Sequence, residues 1–200
     1  MSTEPQPTAG TRERLIAAMT DALRRRGLHG IGLTELLAQA GAPKGVLYHH
    51  FPGGKTELAI AAIDDVMNRM LSGLDKLLTQ VPDPVDALRH WMTGATARLR
   101  DTGFECGCPL ATVALESTPD DAQLRTALAQ AFARMRERIA QALEQAGEPR
   151  ESAQGLAALI VATSEGGLLQ ARVAQSSQPI EQATHTLLSL LTLRAQGARP

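Results

Sequence analysis

Between Leu58 and Leu78 apolar residues return every three or four positions, as Leu58, Ile63, Val66, Met67, Met70, Leu71, Leu74, Leu77 and Leu78. A helix turns roughly 100° per residue, so this spacing draws one unbroken apolar stripe along a helix running from Lys55 to about Thr79. A stripe of that length has to be covered by other helices. The rest of the chain supplies them. Leu15, Ile16, Met19, Ala22 and Leu23 form a face on a helix that Thr11 can cap and Gly27 can stop. Pro82 and Pro84 end the long run, and Leu88, Trp91, Met92, Ala95 and Leu99 mark a helix from Val85 to about Arg100. A Gly- and Pro-containing loop, Asp101 to Leu110, leads into a short helix ending near Ser117. Three more periodic runs follow, over about 120–145, 152–175 and 179–195. Alternation of period two occurs nowhere. The fold class is therefore all-α, with about nine helices.

Composition narrows the core and the partners. Hydrophobic residues make up 44% of the chain but aromatic ones only 2%, so the core must be built from Leu, Ala, Ile, Val and Met. Met67, Met70, Trp91, Met92, Phe104, Leu110, Phe132 and Met135 are candidates to line an adaptable apolar pocket as well as to fill that core. The net charge of −1 argues against a generally basic coat. Residues 1–57 nevertheless carry seven Lys/Arg against five Asp/Glu, while the remainder carries thirteen against sixteen. No run of about 18 apolar residues occurs, and the polar start with Pro5 and Pro7 is not a secretion signal, so a cytoplasmic protein without a membrane partner is expected. Cys106 and Cys108 are too few and too close for a disulfide framework. One C-x-C is weak ground for zinc, which takes four ligands, and a structural role outweighs a thiol sensor or a metal site. Gly-rich phosphate loops and nucleophile motifs are missing, and His90 and His185 stand apart from any carboxylate pair. No catalytic residue, cofactor or metal is expected.

Residues 32–58, GLTELLAQAGAPKGVLYHHFPGGKTEL, carry the functional signal. Leu33, Leu36, Leu37 and Ala40 form the inward face of a short helix between Gly32, a tolerated cap, and Gly41, which suits a left-handed stop. Pro43 suits the first turn of a second helix. On that helix Lys44, Gly45, Tyr48 and His49 fall on one side and Val46, Leu47 and His50 on the other. Lys44 offers a mobile cation, Gly45 permits close backbone approach, and Tyr48 and His49 donate hydrogen bonds. This is the layout of a helix-turn-helix facing a major groove. Arg24, Arg25 and Arg26 form a basic cluster suited equally to a helix C-terminus and to phosphate.

The wording APKGVLYHHF followed by Lys resembles the S-K-G-x-L-Y-x-H-F core of the TetR/AcrR family of one-component repressors. With CGCPLATVALES further on, it is more specifically similar to the LmrA/YxaF-like subgroup, in which G-C-P marks a helix start. The resemblance implies base or groove positions for Lys44, Gly45, Val46, Tyr48 and His49, and backbone-contacting positions for Thr34, His50 and Lys55. Two departures stand out: Gly32 replaces the Thr that many members use as a cap, and Phe51 to Lys55 is one residue longer than the commonest form.

The expected organisation is a disordered arm (1–10), a three-helix DNA-binding domain (11–57) and a regulatory and dimerisation bundle (58–200). The expected partners are double-stranded operator DNA, a small-molecule effector and a second copy of the chain. For the homodimer, the last two helices supply Gly166, Gly167, Leu187, Leu188 and Leu191. An all-α enzyme or carrier would need converging titratable groups. A nucleoid-type binder would not need 140 further residues of apolar helix.

Overall fold

Helices with one apolar face each can bury those faces only against one another, and the computed structural model of the protein is built that way. It describes residues 10–197, and among them are nine α-helices and no strand. They are α1 (Thr11–Arg26), α2 (Leu33–Ala40), α3 (Lys44–His50), α4 (Gly54–Gln80), α5 (Pro84–Asp101), α6 (Pro109–Glu116), α7 (Ala122–Gln145), α8 (Arg150–Ala174) and α9 (Gln178–Gly197). Residues 1–9, in the expected arm, and residues 198–200 lie outside the described residues.

Local chemistry explains most boundaries. Asp83 caps α5, its Oδ1 accepting from the N–H of Val85 at 2.7 Å, with Pro84 in the first turn. Gly41 is left-handed at φ 58°, and the Ala42 N–H closes on the Leu37 carbonyl at 3.0 Å, so α2 stops as expected. Two expectations need correction. Thr11 does not cap α1: Gly10 takes that position, and the Thr11 hydroxyl instead accepts from Arg14 at 3.1 Å. Pro43 is not in the first turn of α3 but at its cap, with an extended ψ of 152°. Its ring-fixed φ suits either place, and the tight turn from Gly41 decides for the cap.

One apolar cluster runs from end to end. It joins Leu15, Met19 and Leu23 of α1, Leu36 of α2, Leu47 and Phe51 to Leu58, Ile63 and Val66 of α4, and continues to Met92, Met135, Ile160 and Leu188. The division expected after Glu57 therefore crosses neither a core boundary nor a helix break, since α4 spans it. Arg138 of α7 adds an ion pair to Asp75 of α4 at 2.5 Å. Such a half-exposed pair contributes at most about 1 kcal/mol, so the apolar contacts hold α7 in place.

Packing redistributes two expected groups. Met67, Trp91, Met92, Leu110 and Met135 are buried in the main cluster, with Met70 and Phe132 packed against it. Phe104 is not among them. It sits in a second cluster with Leu99, Leu168, Ala171 and Ile180. Leu187, Leu188 and Leu191 are buried within the chain itself, and a Cβ on Gly167 would stand 2.9 Å from Ile180 of α9. These four residues fasten α9 to the bundle and are not free to meet a second copy, whereas Gly166 has open space around it.

Candidate nucleic-acid interface

The second helix of the pair, α3, is seated by Leu47, which is fully buried, and by Phe51 just beyond its end. The Arg12 guanidinium lies 5.4 Å from the centre of the Phe51 ring, and Arg14 Nε donates to the Ala40 carbonyl at 3.1 Å at the end of α2. Two α1 cations thus lock the helix pair from behind. On the opposite side Lys44, Gly45, Tyr48 and His49 are all exposed, Tyr48 by 45%. Val46 and His50 are half-buried, and the His50 ring meets His49 and Phe51 edge-on at 5.0 and 6.4 Å.

Thr34 joins the group from α2: it is exposed and, with Lys44, lines a groove of about 560 Å³ between the two helices. The start of α2 has no side-chain cap, so its leading N–H groups, with the positive end of the helix dipole, are available to a phosphate. Lys55 does something else. Its ammonium donates to the carbonyls of Leu28 and Ile31, each at 2.6 Å, which ties the α1–α2 loop to α4. Burial lowers its pKa, with the Glu116 carboxylate opposing that shift. The longer Phe51–Lys55 segment has a structural use: Gly54 opens α4 at φ 67°, and a Cβ there would stand 3.4 Å from the Tyr48 ring.

The bundle grips this head through a long-range contact. Glu116, the last residue of α6, accepts from the N–H groups of Leu28 at 2.6 Å and His29 at 3.3 Å. The loop is thereby held by a carboxylate on its N–H groups and by the Lys55 ammonium on its carbonyls. An acidic residue at a helix C-terminus opposes the dipole unless outside donors meet it, and that mismatch was the available signal. Of the arginine cluster, Arg25 pairs with Asp21 and Glu105, each at 3.1 Å, and Arg26 with Glu35 at 2.6 Å. Arg172 of α8 also donates to the Arg25 carbonyl at 3.2 Å.

A tight helix pair with an exposed, donor-bearing second helix, mounted on a three-helix head and continued by an apolar bundle, defines a helix-turn-helix transcriptional regulator. The chain belongs to the TetR family of bacterial regulatory proteins, which is matched over residues 15–62, and residues 84–186 match the C-terminal domain of LmrA/YxaF-like transcriptional regulators. The HTH-type transcriptional regulator Rv0196 of Mycobacterium tuberculosis is 30% identical over 187 residues, 91% of this chain and 94% of that protein. LmrA of Bacillus subtilis is 28% identical over 181 residues, covering 90% and 96%. Among solved structures, a cysteine mutant of the TetR-family regulator CifR complexed with 26bp double-strand operator DNA superposes with a TM-score of 0.77 over 93% of this chain and 98% of that one. At 18% identity that likeness concerns the fold alone. The family is one of transcriptional regulators, not enzymes. Among the described residues no helix is long and apolar enough to cross a membrane, and no three His, Cys, Asp or Glu side chains are grouped to hold a metal ion.

Proposed function

We propose that the protein is a repressor that binds a palindromic operator as a homodimer and is released by a small, mostly apolar effector. The observation that carries this reading is the side-by-side exposure of Lys44, Gly45, Tyr48 and His49 on α3, a cation and hydrogen-bond donors around a glycine that admits the groove wall. Val46 reaches the same groove from the helix flank. Thr34, His50 and the uncapped start of α2 serve the phosphate backbone, and Lys55 supports that surface from within. The CifR structure, which shares this fold, is itself complexed with operator DNA. A DNA partner places the protein in the cytoplasm, with 11–57 as the reading domain and 58–200 as the regulatory one.

The homodimer rests on a face that the packing leaves open. Gly155, Leu159, Ala162, Leu169 and Val173 of α8 are exposed at spacings of four and three around the half-exposed Gly166, and Leu190 and Leu193 are exposed on α9. Two such pairs of helices pack as a four-helix interface by knobs and grooves. One head covers too few base pairs for high specificity, and a two-fold pair reads both half-sites. The effector is placed in the bundle among Met67, Met70, Trp91, Met92, Leu110, Phe132 and Met135, with Phe104 in the adjoining cluster. A ligand preferring one bundle arrangement acts on the heads through α4 and the Glu116 contact. A preference of about 1.4 kcal/mol changes operator affinity tenfold.

A mobility-shift titration on the DNA flanking the gene tests the reading. Specific retardation that a small apolar compound abolishes is expected. Retardation no stronger than on unrelated DNA overturns the operator assignment, and specific binding that no compound in a broad screen weakens overturns the effector.

A further inference from the structure

The exposed face of the helix pair holds a cleft that charges and donors do not explain. It has a volume of about 560 Å³, lies between α2 and α3, and has the exposed Thr34 and Lys44 at its edges. Leu37, Ala38, Ala42 and Pro43 supply carbon surface between them, and Lys44 is the only charged residue in the lining. Ala38 and Pro43 are exposed. The turn leaves room, since a Cβ added at Gly41 would meet no atom within 4 Å beyond its neighbours in the chain.

The backbone of this floor has no donor to offer. The Gly41 N–H is bound to the Ala38 carbonyl at 3.1 Å, the Ala42 N–H to the Leu37 carbonyl at 3.0 Å, and Pro43 has no N–H. The N–H groups of Leu37 and Ala38 are taken up inside α2. A phosphate is held by donors and positive charge, so the floor is a poor seat for the DNA backbone, although the edges can meet it. In the major groove the one apolar group on a base edge is the C5-methyl of thymine, and beside it stands O4, an acceptor. Small carbon groups on the floor of the cleft, with an ammonium at its edge, complement that pair of atoms.

We infer that the α2–α3 cleft is a specificity pocket for thymine: Ala38 and Pro43 receive the C5-methyl of one thymine in each half-site, and Lys44 donates to its O4. This inference rests on the operator-binding reading and names a base that the operator must carry.

The test changes the DNA first and the protein second. An operator is selected in vitro from random duplexes with the full-length protein. Each thymine of one half-site is then replaced in turn by deoxyuridine, which lacks the methyl and keeps the base pairing. Affinities are measured by mobility shift for the native chain and for Ala38→Ser and Ala38→Gly, which remove the carbon contact at an exposed position, with folding checked by circular dichroism. One thymine is expected at which deoxyuridine lowers native affinity about fourfold, as one buried methyl group contributes. In either folded variant the same replacement is expected to leave affinity unchanged. A selected operator indifferent to deoxyuridine at every thymine overturns the inference. So does a loss that both variants retain in full, which assigns the methyl to Val46 or Tyr48 instead. If no sequence is selected over random DNA, the operator reading itself fails, and this inference with it.

Discussion

At the scale of single residues, the consequences follow from what each side chain touches. Tyr48 and Lys44 are exposed on α3 and touch none of the core, so Tyr48→Phe or Lys44→Ala should weaken specific operator binding by about 1–3 kcal/mol. Quantitative mobility shifts measure this, and an unchanged circular dichroism spectrum separates it from unfolding. Gly167 is the opposite case, since Ile180 stands where its Cβ would go. Gly167→Ala should lower stability by about 1–3 kcal/mol through overpacking. Denaturant melts of the two chains measure this, and an unchanged midpoint would show that Ile180 gives way without cost. Glu165 adds a pH signature. Burial raises its pKa in the folded chain, so the unfolded chain ionises first as pH rises, and native stability falls from the ordinary carboxylate range up to the raised value. Glu165→Gln should therefore melt higher than the native protein at pH 7–8, with the two curves meeting near pH 4. Parallel curves across that range would contradict the burial.

At the scale of elements, the contact between α6 and the α1–α2 loop is where the proposed communication between head and bundle can be tested. Glu116 closes on two N–H groups, and Gly27, at φ 74°, leaves no room for a Cβ beside that carboxylate. Replacing the carboxylate by an amide keeps one acceptor and loses the charge. Glu116→Gln should cost about 1 kcal/mol of stability, and Glu116→Ala about 1–3 kcal/mol, because the Leu28 N–H is then left unsatisfied. The more informative measurement is the ratio of operator affinities with and without a bundle ligand. That ratio should move toward one in Glu116→Ala, whereas a merely stabilising contact would leave it unchanged.

For the whole molecule, the proposed homodimer is tested at the exposed seam on α8 and α9. Leu169 and Leu190 are exposed by 50% and 59%, although apolar, and neither belongs to either core cluster. Leu169→Glu combined with Leu190→Glu should yield a folded monomer by sedimentation at micromolar concentration, and operator affinity should collapse because paired half-sites are no longer read together. A dimer that survives both charges would move the interface elsewhere.

Much of this could be read in one dimension. The 3.6-residue period required helices, the Gly and Pro positions placed their ends to within a few residues, and the wording from Gly32 to Lys55 placed the helix pair and the exposed side of its second helix. These are local properties, set by backbone preferences and by the angle between neighbouring side chains. The tertiary structure decided which apolar residues of α8 and α9 turn inward: Leu187, Leu188 and Leu191 do, while Leu159, Leu169, Leu190 and Leu193 do not. On a helix apolar around most of its circumference, period alone gives no preferred face, and only the position of neighbouring helices breaks the tie. The same holds for Lys55, whose ammonium turns to the carbonyls of Leu28 and Ile31, and for Glu116 and Glu165, whose surroundings come from residues more than 50 positions away. A charge takes its role from what surrounds it in space, and long-range packing sets those surroundings.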